Sequence, residues 1–355
     1  MCVITFDWEE NDANVKVENF MKNGTLSWYV IELTHRCNFS CVWCYAGSGK
    51  GNPEFDDMPL EKLEAILDFI SKNGVRQVTF SGGEPTIYPK LTDAVRAAHE
   101  RGLIVHLNSN GFLLDEAFLR RLKEAGLSQV QINIDSLQPE RHDKVRGMPN
   151  SHERAMDALR IASGMGITAV SQTVITKDNE REVVEILKKA RRLGVQRCRI
   201  WDMVLSGTAL ENKEILPTDF ISSVKEVVKF AKETGARHIE SGDPMFPLGE
   251  DYEIPISGGL CAAINGGFAT IAPNGVVFPC ATIREGLYNI FDAMNDGRPL
   301  AELHKDAIKA YREKIGMPSG CAECEHADRC FGGCPTRRIN GDVDYWCSLT
   351  ENRQS

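Results

Sequence analysis

From Trp28 to about residue 242, short apolar runs alternate with longer stretches of helical period, one unit every 30 residues or so. The strand candidates are WYVIELT (28–34), QVTFS (77–81), IVHLNSN (104–110), QVQINID (129–135), AVSQTVI (169–175) and RCRIWDMV (197–204), with ARHIES (236–241) as a candidate seventh. Between the first two, Leu60, Leu63, Leu67 and Ile70 recur on one face of a helix, and similar stripes run through 114–125, 152–164, 179–193 and 217–234. Repeated strand-then-helix units predict parallel strands joined by right-handed crossovers.

Within the strands, apolar and polar residues take turns. Val130, Ile132 and Ile134 alternate with Gln129, Gln131, Asn133 and Asp135, and Tyr29, Ile31 and Leu33 with Glu32 and Thr34. Alternate side chains point to opposite faces, so one face is apolar and meets the helices while the other is polar. A doubly wound sheet needs apolar residues on both faces, and a closed eight-stranded barrel fills its inside with branched apolar side chains. The pattern fits instead an α/β fold with an open, six-unit (β/α)6 partial TIM-like barrel and a wet concave face able to seat a polar cofactor. Beyond about residue 245, Gly, Pro and Cys become frequent and the units stop. A helical insert near 298–314 interrupts a region that reads as a smaller domain organised by metal. The expected division is an N-terminal extension (1–26), the barrel (27–245) and a cysteine-rich domain (246–355).

Charge and hydropathy narrow the function classes. A formal charge of −9 argues against a broad phosphate-binding surface, hence against nucleic acid as partner. No apolar stretch is long enough to span a bilayer, and the acidic N-terminus lacks the basic start and apolar core of a signal peptide. A cytoplasmic, membrane-free location is expected. In that reducing setting the 12 cysteines are more apt to hold metal than to form disulfides.

Three of them follow the first strand, in LTHRCNFSCVWCYAG: Cys37, Cys41 and Cys44. Three thiolates on one short loop can hold three irons of a [4Fe–4S] cluster and leave the fourth open; a three-thiolate zinc site completed by His35 is the alternative. FSGGEPT follows the second strand. Together these motifs resemble the radical SAM superfamily. The resemblance implies that Gly82, Gly83 and Glu84 bind the methionine amino group of S-adenosylmethionine (SAM), that Trp43 contacts adenine, that Asn133 and Asp135 hold the fourth-strand contact position, and that Arg154 pairs with the SAM carboxylate. It also implies the chemistry: reductive cleavage of SAM to methionine and a 5′-deoxyadenosyl radical that abstracts hydrogen from an unactivated carbon.

A second set reads Cys261, then Gly275 and Cys280, then Cys321, Cys324, Cys330 and Cys334 as C-x2-C-x5-C-x3-C, and finally Cys347. It resembles the SPASM extension of radical SAM enzymes, which holds two auxiliary clusters. Carried over, Cys321, Cys324, Cys330 and Cys347 hold the outer cluster, and Cys261, Cys280 and Cys334 hold an inner one with only three cysteine ligands. Three [4Fe–4S] clusters are thus expected in all. Cys2 and Cys198 stand outside both sets; Cys198 alternates with Arg197 and Arg199 and is expected to face outward, under a helix.

The resemblance favours oxidative modification of a peptide or protein, as a crosslink or side-chain dehydrogenation, with an auxiliary cluster taking the second electron. Sulfatase maturation is disfavoured, because Ala281 stands where those enzymes carry an Asp base. With 36 residues before Cys37, a peptide substrate is expected to need a separate recognition protein or to bind directly, and no room is expected for a cobalamin domain. The electron donor expected by analogy is a ferredoxin or flavodoxin. Candidate bases or substrate anchors are Asp202, Glu240 and Asp243, with Arg197, Arg199 and Trp201 at the mouths of late strands. The second reading is an oxidase or decarboxylase of a small cofactor precursor such as a tetrapyrrole, and the third a zinc-stabilised binding protein.

Overall fold

The structure, a computed structural model, describes residues 3–7, 26–49, 57–236, 238–241, 256–258, 261–325, 327–338, 343–344 and 347. β1 (Val3–Asp7) lies within the expected extension. The six expected strands are β2 (Trp28–Thr34), β3 (Gln77–Gly82), β4 (Ile104–Ser109), β5 (Leu127–Asn133), β6 (Thr168–Ile175) and β7 (Arg197–Asp202), each parallel to the next. The segment expected as a seventh strand is β8 (His238–Ser241), followed by β9 (Ile256–Gly258), but β8 does not touch β7. β1 runs antiparallel between the two, so the strand–helix series stops at six.

The C-terminal region joins the same sheet. β10 (Phe268–Ile271) runs parallel to β2, and β11 (Val276–Phe278) and β12 (Tyr288–Asn289) follow antiparallel to give a twelve-stranded sheet. Gly275, the glycine between Cys261 and Cys280, makes the β10–β11 turn at φ +85°, a region other residues rarely adopt. The helix Leu300–Ile315 is the expected insert.

Packing follows the alternation. Tyr29 pairs with Val78 and Ile31 with Phe80, and this row is fully buried under helices such as Leu60–Lys72, whose Leu63, Ile66, Leu67 and Ile70 are inaccessible. Each such side chain contributes roughly 1.5–3 kcal/mol of burial. Cys198 sits in this core, wholly buried, and accepts a bond from Ser171 Oγ at 3.1 Å, as its place between two arginines implies.

The other face is polar and enclosed. Glu32, Thr79, His106, Gln129, Gln131 and Gln172 are each at most 5% exposed. Trp28 Nε1 donates to Thr79 Oγ1 at 2.9 Å, and Arg199 Nη1 to Gln131 Oε1 at 2.6 Å. Burial, reinforced by Arg199 and Arg197, pushes His106 down to about 3, so its ring is neutral at physiological pH. Gln129 Oε1, Gln172 Oε1 and Trp201 Nε1 are buried with no hydrogen-bond partner among the described residues. Buried polar atoms are normally satisfied, so this lining is suited to a polar guest.

Candidate active site

The loop carrying Cys37, Cys41 and Cys44 is clamped from three sides at the C-terminal end of the barrel. From one side Gly83 N donates to Thr34 O at 2.7 Å and Glu84 N to Arg36 O at 2.9 Å. An added Cβ at Gly82 would lie 2.0 Å from Thr34 O, and one at Gly83 2.1 Å from Arg36 O. Close backbone approach therefore demands both glycines. From a second side, Thr208 Oγ1 donates to Cys41 O and Asn212 Nδ2 to Val42 O, at 2.9 and 3.0 Å. From the third, Ser40 N and Val42 N donate to the carbonyls of Arg146 and Val145.

Burial pushes Cys37 and Cys41 up to about 12, with mutual repulsion and, for Cys37, Glu84 adding to it; Arg146 opposes the rise at Cys41. Such thiols ionise only against a strong cation, and a bound metal deprotonates its thiol ligands. The donor set thus fits a cluster. No three Cys, His, Asp or Glu among the described residues converge as ligands of one ion do. The zinc alternative asked His35 to complete the site, yet His35 Nε2 is held by Glu32 Oε2 at 2.7 Å.

Of the remaining SAM candidates, Glu84 is buried and accepts four bonds, from Thr86 N, Thr86 Oγ1, Ser109 Oγ and Asn110 N at 2.6–3.0 Å. It locks the end of β3 to that of β4. Asp135 is 3% exposed; its Oδ1 accepts from Val174 N at 3.0 Å and its Oδ2 faces Arg146 Nη1 at 3.4 Å. Asn133 ends β5 beside it. Trp43 lies under the Arg146 guanidinium, 4.8 Å from the ring centroid. Arg154 is exposed, its guanidinium over the Phe112 ring at 5.8 Å from the centroid.

Cys261, Cys280 and Cys334 are buried; burial raises the Cys280 thiol, and Cys261 and Cys334 push the same way. Burial pushes Cys330 up to about 11, with Asp344, Cys321 and Cys347 adding to it. Cys324 lies in the turn after Cys321, its N–H donating to Cys321 O at 3.1 Å.

Two arginines tie the segments that carry these cysteines to the barrel. Arg284, four residues past Cys280, makes two bonds to the fully buried Glu32 of β2 (2.8 and 3.0 Å) and lies over Tyr45, the neighbour of Cys44. Arg337 donates to Asp202 at the end of β7 and to Asp344, each at 2.8 Å; Asp344 also accepts from Cys334 N. Asp202, a candidate base, is therefore held in an ion pair. Glu240 pairs with Thr5 across β1 and β8, and Asp243 lies outside the described residues, as does Cys2. Sequence reasoning missed Arg146, Arg284 and Arg337, since an arginine bound for a buried ion pair carries no local mark.

Residues 31–200 match the radical SAM superfamily. The chain is a radical SAM enzyme. Among its relatives are the PqqA peptide cyclase of Gluconobacter oxydans, 29% identical over 90% of this chain and 89% of that protein, and the AdoMet-dependent heme synthase of Methanosarcina barkeri, 26% identical over 88% and 92%. Solved structures share the fold. Streptococcus suis SuiB bound to S-adenosylmethionine matches with a TM-score of 0.68 at 16% identity over 93% of this chain and 80% of that one. SAM-bound anSMEcpe matches with a TM-score of 0.67 at 17% identity, over 92% and 94%. The family implies SAM and one [4Fe–4S] cluster. No helix among the described residues is long and apolar enough to cross a membrane.

Proposed function

We propose that this radical SAM enzyme oxidatively modifies a peptide, forming a crosslink or dehydrogenating a side chain, with two auxiliary [4Fe–4S] clusters beside the SAM-binding one. The observation that carries the substrate class is the end-to-end similarity to a peptide cyclase, over 90% of this chain. The proposed ligands are Cys37, Cys41 and Cys44 for the first cluster, Cys261, Cys280 and Cys334 for the inner one, and Cys321, Cys324, Cys330 and Cys347 for the outer one. Gly82, Gly83, Glu84, Trp43, Asn133, Asp135 and Arg154 are the proposed SAM contacts, Glu84 acting through Oε2, which takes one of its four bonds while Oε1 takes three. When bound, these groups supply a hydrogen-abstracting radical and an acceptor for the electron the substrate must then lose. The chain supplies the enclosed polar interior that orients the guest and excludes water. Asp202 positions the auxiliary region rather than acting as base. A ferredoxin or flavodoxin is the proposed reductant, with a separate protein presenting the peptide.

The heme synthase relative supports a second reading, oxidation or decarboxylation of a tetrapyrrole. Anaerobic enzyme with SAM and dithionite, offered the short peptides encoded beside its gene and, separately, a porphyrin precursor, separates the two. A peptide lighter by two hydrogens supports the proposal. Conversion of the porphyrin with every peptide unchanged refutes it.

A further inference from the structure

Arg146 ends the helix Pro139–Arg146 and reads in sequence as a surface charge capping a helix C-terminus. In the fold it is only 6% exposed. Its own carbonyl and that of Val145 receive Ser40 N and Val42 N, at 3.3 and 3.0 Å, so its backbone is bonded to the cysteine loop. Its guanidinium lies 4.8 Å from the centroid of Trp43 and 5.4 Å from that of Phe39, two aromatic residues of the same loop. Its carboxylate partner is Asp135, at 3.4 Å. Burial weakens the cation, but Cys41, Asp135, Cys37 and Cys44 more than restore it.

Here, then, is one buried cation bonded through its backbone to the cysteine loop, stacked on two of that loop's aromatic rings and paired with one carboxylate. Isolated charges are not buried without compensation, and Asp135 alone would suffice for a structural pair. The contacts with the loop point further. We propose that Arg146 is a positioning residue for the SAM-binding cluster, its buried positive charge offsetting the thiolates and making one-electron reduction of that cluster easier. Reduction adds a negative charge to a group already ringed by thiolates, and net local charge is among the properties that set cluster potentials. The proposal rests on the radical SAM assignment.

The test is the midpoint potential of the EPR signal that changes when SAM is added, measured in the holoenzyme with the remaining cluster signals as internal reference. Arg146→Met lowers that potential and leaves the others in place; Arg146→Lys, which keeps the cation, restores most of it; Asp135→Asn, which removes an opposing negative charge, raises it. A signal that titrates alike in wild type, Arg146→Met and Asp135→Asn overturns the proposal, as does Arg146→Lys matching Arg146→Met. Should Arg146→Met fail to take up iron, the absence of an upward shift in Asp135→Asn is decisive against it. A holoenzyme in which no signal responds to SAM overturns the radical SAM assignment instead, and this inference with it.

Discussion

Replacing Arg284 by Met strands a carboxylate. Glu32 has no solvent access, and three of its close contacts come from two side chains: two from Arg284 and one from His35. Removing one partner of a buried pair costs about 3–5 kcal/mol; because the Arg284 side chain is 30% exposed, the low end, about 3 kcal/mol, applies. Glu32→Gln in the same background removes the stranded charge, so the double variant recovers about 2 kcal/mol of that loss. The pH dependence changes sign as well. In the wild type, burial raises Glu32, but His35 and Arg284 together bring it below its usual value. Its contribution is therefore fully present above the unfolded carboxyl pKa of about 4.3 and fades as pH falls further. Without Arg284, burial dominates and the folded pKa rises, so stability falls as pH climbs above about 4.3. Urea unfolding of anaerobic protein, followed by tryptophan fluorescence from pH 4.5 to 7, reads both effects. A loss below about 1 kcal/mol with an unchanged pH slope would refute the reasoning.

Arg337→Met strands Asp202 and Asp344 together, and the tie between β7 and the Cys334 backbone goes with it; iron analysis should show auxiliary iron lost while the SAM-responsive EPR signal persists. Gly83→Ala places a methyl 2.1 Å from Arg36 O, so the opposite pattern is expected: the SAM-responsive signal disappears and auxiliary iron stays. Cys280→Ala removes one thiolate of the proposed inner set, and an unchanged iron count and EPR inventory would sink that ligand assignment.

The barrel was legible because its strands carry two messages at once. The row of Val130 and Ile132 turned to the helices, and the row of Gln129 and Gln131 turned inward, as alternation requires. The helix Leu91–Glu100 was not singled out, since its core face is built from Ala94, Val95, Ala97 and Ala98, a weak hydrophobic stripe. Nothing local announces that β1 separates β7 from β8 or that β10 extends β2, because those pairings join residues some 200 positions apart. The cysteines declared themselves by spacing. Their charge partners did not: Arg146 and Arg337 look like surface residues until the fold buries them, and Arg284 until its guanidinium meets the buried Glu32.

The most direct test of the account asks whether the loop of Cys37, Cys41 and Cys44 delivers radical chemistry. Anaerobically reconstituted enzyme, reduced with dithionite and given SAM, should release 5′-deoxyadenosine, and the Cys37→Ala, Cys41→Ala, Cys44→Ala triple variant should release none. Fully iron-loaded wild type that is as silent as the triple variant would contradict the account.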